Sequence, residues 1–289
     1  MTREPEPRPV LKWAGGKRRL APRIAACLPE RIRTYYEPFV GGGAVFFALA
    51  AERRFERAVI SDRNRDLVEV YRALQSNVDS LIDELTRYTE RHSETEYYRV
   101  RELRPRSRVA RAARVIYLNK TGYNGLYRVN RDGRFNVPMG RYANPTICDE
   151  ARLRAAARAL SGVEILTEDF ENVCRKAAAG DAVYFDPPYL PVSRTSSFAA
   201  YDAYPFDLDE HRRLARVFSE LARRGVRAVL SNSFTPDTET LYAHFSPEVI
   251  GVPRPINSVA SRRGSVAELL VVNRRRARDK AAKRVATGR

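Results

Sequence analysis

Cysteine, histidine, methionine and tryptophan are all scarce in this chain of 289 residues, with three, three, two and one of each. Cys27, Cys148 and Cys174 are odd in number and far apart, and no C-x-x-C pair occurs. That pattern excludes a disulfide framework and gives no zinc site. No run approaches about 18 consecutive apolar residues, so no spanning helix is expected. The N-terminal stretch Glu4-Pro5-Glu6-Pro7 lacks the apolar segment of a secretory signal. These absences point to the cytoplasm. Internal repeats and low-complexity linkers are missing too.

Lysine is also rare, at six of the 52 basic residues, a skew that GC-rich coding alone can produce. Positive charge itself is abundant: the formal net charge of +17 suggests a polyanionic partner. Arg99, Arg101, Arg104, Arg106, Arg108, Arg111 and Arg114 crowd one short segment, and basic residues recur from Arg274 onward. Phosphate contacts are expected from some of the first group. The tail, 275–289, reads as a disordered basic extension that adds non-specific affinity.

The most informative segment is Asp186-Pro187-Pro188-Tyr189, directly after the apolar run Ala182-Val183-Tyr184-Phe185. Two prolines fix φ at about −65° and remove two N–H donors, so a strand cannot continue through them. The carbonyls of Asp186 and Pro187 are then free to face a substrate. A planar exocyclic amine offers two N–H bonds, and the Asp186 carboxylate and Pro187 carbonyl are two acceptors for them. Tyr189 could stack on the attached ring. A Pro-Pro turn with a helix-capping aspartate is the plainer alternative.

Upstream, Tyr35-Tyr36-Glu37-Pro38-Phe39-Val40-Gly41-Gly42-Gly43 runs into the helical pattern Ala44–Ala51. A strand, then glycines, then a helix brings bare backbone N–H groups close to a nucleotide-like ligand. About twenty residues later, Arg57-Ala58-Val59-Ile60-Ser61 reads as a second strand ending in Asp62, placed to accept from ribose hydroxyls. Phe46 stands where the dinucleotide fingerprint has its third glycine, which disfavours a nicotinamide or flavin oxidoreductase.

Seven apolar segments read as strands, at 35–40, 58–62, 163–167, 182–186, 226–233, 248–252 and 267–273. Helical patterns separate several of them, as at 209–224 with Leu214, Val217, Phe218 and Leu221 on one face. The alternation predicts an α/β fold with a seven-stranded, mostly parallel sheet. Its last two strands, joined only by the loop 253–266, should form an antiparallel hairpin at one edge. The interval between Asp62 and Val163 is too long for a simple crossover. It predicts a long helix at 67–91, one or two more at 99–119, and a hairpin of 126–129 and 134–137. The turn Asn130-Arg131-Asp132-Gly133 carries the hairpin signal. Residues 8–65 and 161–274 are thus expected to form the catalytic domain and 66–160 an inserted subdomain.

Four separated motifs carry a family resemblance: Leu11-Lys12-Trp13-Ala14-Gly15-Gly16-Lys17; Glu37-Pro38-Phe39-Val40-Gly41-Gly42-Gly43; Tyr123-Asn124-Gly125-Leu126-Tyr127-Arg128 with Phe135-Asn136-Val137-Pro138; and Asp186-Pro187-Pro188-Tyr189. From about Val10 to Asn273 the chain resembles the Dam-like site-specific DNA N6-adenine methyltransferases, which include type II restriction-modification methylases of GATC. The resemblance implies a Rossmann-like methyltransferase sheet, S-adenosylmethionine as cofactor and double-stranded DNA as partner, with no metal and no membrane. Trp13 and Lys17 match the cofactor motif, with Lys17 facing the methionine carboxylate. Phe39, Gly41 and Gly43 would line the methionyl side, and Asp62 the ribose. Asp169 and Phe170 follow a strand and offer an adenine site, unless Asp169 simply caps a helix. In the family pattern Tyr123 inserts into the base stack, Asn124 supports it, Arg128 and Lys12 contact guanines, and Leu126 and Pro138 meet a thymine methyl. Residues 66–160 would then be the target-recognition subdomain.

The implied chemistry is methyl transfer to an amine whose lone pair is delocalised into the ring. Asp186 and the Pro187 carbonyl, with Pro188 and Tyr189 shaping the pocket, would localise that pair as charge develops. The target base must be flipped out of the duplex. None of the three cysteines follows a proline, the usual context of the nucleophile for attack at cytosine C5. N4-cytosine methylation remains an alternative, and methylation of a protein amide a remoter one. A monomer is the default expectation.

Overall fold

The computed structural model describes residues 5–190, 206–245, 247–253 and 265–274. The apolar segments become β1 (Ile32–Glu37), β2 (Phe55–Ser61), β3 (Glu164–Leu166), β4 (Ala182–Phe185), β5 (Arg227–Ser233), β6 (Glu248–Pro253) and β7 (Ser265–Val272). They form one sheet in the order β3-β2-β1-β4-β5-β7-β6. The first five run parallel, and β7 lies antiparallel between β5 and β6. The expected closing hairpin is therefore present, with β6 outermost.

The helices are α1 (Ala21–Ala26), α2 (Ala44–Ala51), α3 (Arg65–Ser76), α4 (Val78–Glu90), α5 (Glu94–Glu102), α6 (Arg108–Thr121), α7 (Glu150–Leu160), α8 (Phe170–Cys174), α9 (Leu208–Arg223) and α10 (Pro236–Leu241). Successive strand side chains point to opposite faces, and the core divides accordingly. Tyr35, Tyr184 and Val229 pack with α1, α2 and the helices of the insertion. Tyr36, Val183, Phe185, Ala228 and Leu230 pack with α8 and α9. Both faces of the central strands are buried, which is why these strands read as continuous apolar runs. The insertion shares the first core with the sheet, through Leu67, Val70, Ile116 and Leu153 among others.

Two expectations need correction. The single helix at 67–91 is two, α3 and α4, because Asn77 leaves helical geometry at φ −144° and ψ 36°. Asparagine competes for backbone hydrogen bonds and is a natural break. The hairpin forms its turn, with Gly133 at φ +70° and Asn130 Oδ1 accepting from Asp132 and Arg134 N–H at 3.0 and 2.8 Å. Its arms, however, form no continuous ladder: they meet at two isolated bridges, Gly122 with Met139 and Val129 with Phe135, and through the backbone bonds Asn136 N–H to Arg128 O at 3.0 Å and Asn130 N–H to Arg134 O at 2.8 Å. An isolated two-stranded ribbon is marginal, and here buried Phe135 and Val137 anchor it instead of a ladder. Within the arginine cluster, most members have partners in the protein itself. Arg99 pairs with Glu96, Arg101 with Glu102, and both Arg108 and Arg111 with Glu69. Arg114 is buried and donates to the carbonyls of Val100 and Arg101. Arg104 and Arg106 are exposed and take part in none of these contacts. The basic tail lies outside the described residues; among the described residues no helix is long and apolar enough to cross a membrane.

Candidate active site and nucleic-acid interface

The parallel strands end along one edge, and Phe39, Gly41, Gly43, Asp62, Asp169, Phe170 and the Asp186–Tyr189 motif lie in the segments that follow them. β1 and β4 are neighbours whose chain connections leave in opposite directions, the switch point at which open α/β sheets bind ligands. Gly41 and Gly43 follow β1 with φ of +48° and +70°. A Cβ on Gly41 would stand 3.0 Å from Trp13 Cδ1, so the indole closes directly over the glycine loop. At the end of β2, Asp62 accepts Gly41 N–H at 3.1 Å on Oδ2 and Asn64 N–H at 2.9 Å on Oδ1. Those two bonds fix the orientation of its carboxylate beside the loop.

At the end of β4, Asp186 meets Lys17. The Lys17 ammonium is 3.0 Å from Asp186 Oδ1, donates to Gly15 O at 2.7 Å, and stands 4.6 Å from the Tyr189 ring centroid. Lys17 is only 5% exposed. Ser231, on β5, donates to the same Asp186 oxygen at 2.9 Å. Burial pushes the Asp186 pKa above the usual carboxylate value, while Lys17 and Ser231 pull it back and Glu268 pushes it further up. Among the described residues no hydrogen bond ends on the Pro187 carbonyl. Tyr189 is held by its hydroxyl, which donates to Glu268 Oε2 at 2.9 Å, and its ring remains partly exposed. A carboxylate, a rigid carbonyl that takes no hydrogen bond among the described residues, and an aromatic face thus follow one another in four residues, and Asp186 keeps 20% side-chain exposure.

Beneath them lies Glu37, 2% exposed, accepting the Tyr35 hydroxyl at 2.7 Å. Burial pushes its pKa up to about 8; the Tyr35 bond opposes this and the Asp186 charge adds to it. Nothing in the sequence singled out Glu37 as a titrating group.

Asp169 and Phe170, expected at an adenine site, are both engaged with the protein itself. Asp169 caps α8 by accepting Glu171 N–H on Oδ1 at 3.0 Å, and it is gripped by Arg213 on both oxygens at 3.0 and 2.6 Å and by Arg63 on Oδ2. Four bonds use the acceptor capacity of a carboxylate. Burial raises its pKa, but Arg213, Arg63 and the Glu171 N–H outweigh that and hold it low. Phe170 is 1% exposed, with the Arg213 guanidinium 4.3 Å from its ring centroid and Phe39 packed at 5.5 Å. Both residues build the framework under Phe39.

The residues expected at DNA gather around a short 3₁₀ turn, Tyr123–Gly125. Tyr123 is 51% exposed and Leu126 40%, two of the three large apolar side chains exposed among the described residues. Asn124 takes the left-handed conformation at φ 54°, which a short polar side chain tolerates. The organiser is Asn119, which sequence reasoning passed over. It accepts Lys12 N–H at 2.9 Å and donates to the carbonyls of Lys12 and Gly125 at 2.7 and 2.8 Å. Lys12 is thereby placed against the turn, so close that a Cβ on Gly125 would lie 2.7 Å from Lys12 Cδ. Beside it is a cleft of about 420 Å³ lined by Tyr123, Asn124, Met139, Gly140, Arg141 and Tyr142. Pro138 is exposed and its carbonyl accepts Tyr123 N–H at 2.9 Å. Arg128 is exposed but bonded across the turn to Asn136, through Oδ1 at 2.7 Å and the carbonyl at 3.1 Å. No group of three or more metal-ligating side chains occurs among the described residues.

A sheet of this order, with a glycine loop, an acid and an aspartate–proline motif at its switch point, defines a Rossmann-like methyltransferase fold. Residues 13–253 match the family model for D12 class N6 adenine-specific DNA methyltransferases. A type II methyltransferase, M1.LlaDCHI of Lactococcus lactis subsp. cremoris, is 41% identical over 275 residues, covering 92% of this chain and 95% of its own. The type II methyltransferase M.MjaIII of Methanocaldococcus jannaschii is 42% identical over 287 residues, covering 93% and 99%. The DNA adenine methylase of Escherichia coli is 35% identical over 269 residues, covering 92% and 95%. The chain belongs to the D12 class of N6 adenine-specific DNA methyltransferases. That family and fold imply the use of S-adenosylmethionine. The residues present fit such a group: an oriented carboxylate at Asp62 for a diol, a buried ammonium at Lys17 for a carboxylate, and glycine backbone between them.

Proposed function

We propose that the enzyme methylates N6 of an adenine flipped out of duplex DNA, with GATC as its target. Asp186 and the Pro187 carbonyl accept the two amine protons, Pro188 keeps the segment rigid, and Tyr189 stacks on the base. The cofactor supplies the methyl group. Trp13, Lys17, Phe39, Gly41, Gly43 and Asp62 hold it, with Asp186 at its reactive end. As the amine gains a fourth bond it loses a proton, which Asp186 takes and passes to solvent. The observation that carries this reading is the convergence of Asp186, Lys17 and Tyr189 at the end of β4.

Residues 66–160 serve as the target-recognition region, with 8–65 and 161–274 as the catalytic domain. Tyr123 enters the base stack with Asn124 supporting it, Lys12 and Arg128 read guanines in the major groove, and Leu126 and Pro138 pack on a thymine methyl. The exposure of Tyr123 and Leu126 supports this placement. The enzyme acts on cytoplasmic DNA as a monomer. The test is expression in a methylation-free host, followed by base-resolution mapping of its DNA. N6-methyladenine confined to GATC is expected; N4-methylcytosine, or adenine methylation in another context, would overturn the specificity reading.

A further inference from the structure

We propose that Ser231, oriented by Tyr184, is a positioning residue for Asp186: it sets the turn of the carboxylate and reserves Oδ2 for the target amine. This rests on the reading of Asp186 as the group that grips that amine. Tyr184 and Asp186 are two residues apart on β4 and its extension, so their side chains leave the same face. β4 and β5 pair in parallel, Tyr184 opposite Val229 and Phe185 opposite Leu230, which brings Ser231 alongside Asp186. Ser231 is fully buried and Tyr184 1% exposed. Ser231 Oγ lies 2.9 Å from Asp186 Oδ1 and 2.8 Å from the Tyr184 hydroxyl.

Proton counting gives the chain a direction. An ionised carboxylate only accepts, so Ser231 spends its single proton on Asp186 and must accept from Tyr184. Tyr184 cannot readily reverse this, because burial, first of all, keeps its hydroxyl protonated far above neutral pH. Lys17 binds the same Oδ1. The Ser231 hydrogen bond and the 3.0 Å approach of the Lys17 ammonium therefore both fall on Oδ1. Without Ser231 the carboxylate could rotate and let the ammonium bridge both oxygens, taking the acceptor that the amine needs.

The neighbouring residues brace the same loop. Ser233 Oγ donates to Leu190 O at 2.9 Å, just beyond Tyr189. Asn232, on the opposite face, lies 3.3 Å from Nδ1 of His211. Burial pushes the His211 pKa down to about 4, against a smaller pull from the Pro188 backbone, so a neutral ring sits beneath the prolines at pH 7. Ser231 and Ser233 thus hold the loop at both ends.

The experiment compares Ser231→Ala, Ser231→Thr, Tyr184→Phe and Asp186→Asn in the full-length enzyme, using single-turnover methylation of a GATC duplex from pH 5.5 to 9 and equilibrium DNA binding. Removing a hydrogen bond to a charged group should slow Ser231→Ala about 10- to 100-fold with DNA affinity unchanged. Its acid limb should move to higher pH, since a group favouring the ionised carboxylate is gone, and Ser231→Thr should restore much of both. The charged and titratable groups facing Asp186 are Lys17, Glu37, Glu268, Tyr184 and Tyr189. Glu37→Gln therefore serves as the background that assigns the limb. An unmoved limb in Ser231→Ala would overturn the proposal, as would a slow Ser231→Thr. Should Ser231→Ala fail to fold, Tyr184→Phe carries the same expectation at smaller amplitude. An active Asp186→Asn would instead overturn the reading of Asp186 and leave the two failures distinct.

Discussion

The ammonium of Lys17 touches the carboxylate of Asp186 at 3.0 Å and stands over the face of Tyr189, 4.6 Å from the ring centroid. The first and last motifs of the chain therefore meet as one charged pair, with Lys17 almost fully buried. A buried ion pair is costly to break by removing one partner. Lys17→Met should accordingly do two things: weaken cofactor affinity and slow methyl transfer at least about tenfold, with the acid limb of the rate profile moving to higher pH. Calorimetric binding of S-adenosylmethionine and a pH–rate series measure both. Loss of affinity with an unmoved limb would mean that Asp186 does not depend on this lysine.

Asp186→Ala removes the acceptor while leaving the prolines. Turnover should fall by roughly 10²–10⁴-fold, with duplex affinity by gel shift close to that of the parent. Retained turnover would remove the proposed role outright.

Arg128→Ala should relax discrimination at one base pair by about 1–3 kcal/mol. The guanidinium now bonded to Asn136 has more donors than those two bonds use. Affinities for GATC and single-substitution duplexes decide the point. Uniform weakening across all of them would make Arg128 a phosphate contact.

Glu37 makes stability depend on pH. Its folded pKa of about 8 lies above the ordinary value of 4.5. Between those limits the unfolded chain releases a proton that the folded one keeps, so stability is full below about pH 4.5 and declines by up to about 1.4 kcal/mol per unit until about pH 8. Glu37→Gln should flatten that decline, as read by urea denaturation at pH 5, 6.5 and 8. Equal slopes in both proteins would show that Glu37 is not the group responsible.

Asn119→Ala should cost about 1–3 kcal/mol, because it strands the Lys12 N–H and two carbonyls that Asn119 now satisfies. Specific DNA binding should weaken with it. Unchanged melting temperature and GATC affinity would sink the organising role of this residue.

The sheet was legible because strands buried on both faces leave unbroken apolar runs, and because two prolines and three glycines punctuate the ends that matter. Asp62, Lys17 and Asp186 were legible as types in a pattern. Their pairings were not. Nothing local tells Arg111 that it will find Glu69, or Asp169 that it will be held by Arg63 and Arg213, since those partners come from other elements of the fold. The break at Asn77 is invisible to periodicity because both halves keep a buried face on either side of it. Ser231 and Asn119 read as ordinary polar residues in apolar elements, and only the fold brings them to Asp186 and Lys12.

Trp13 covers Gly41 on one side and meets Tyr127, ring centroids 5.4 Å apart, on the other. One indole is therefore a party wall between the glycine loop and the turn proposed to read DNA. A smaller side chain at position 13 would open space on both sides of that wall at once.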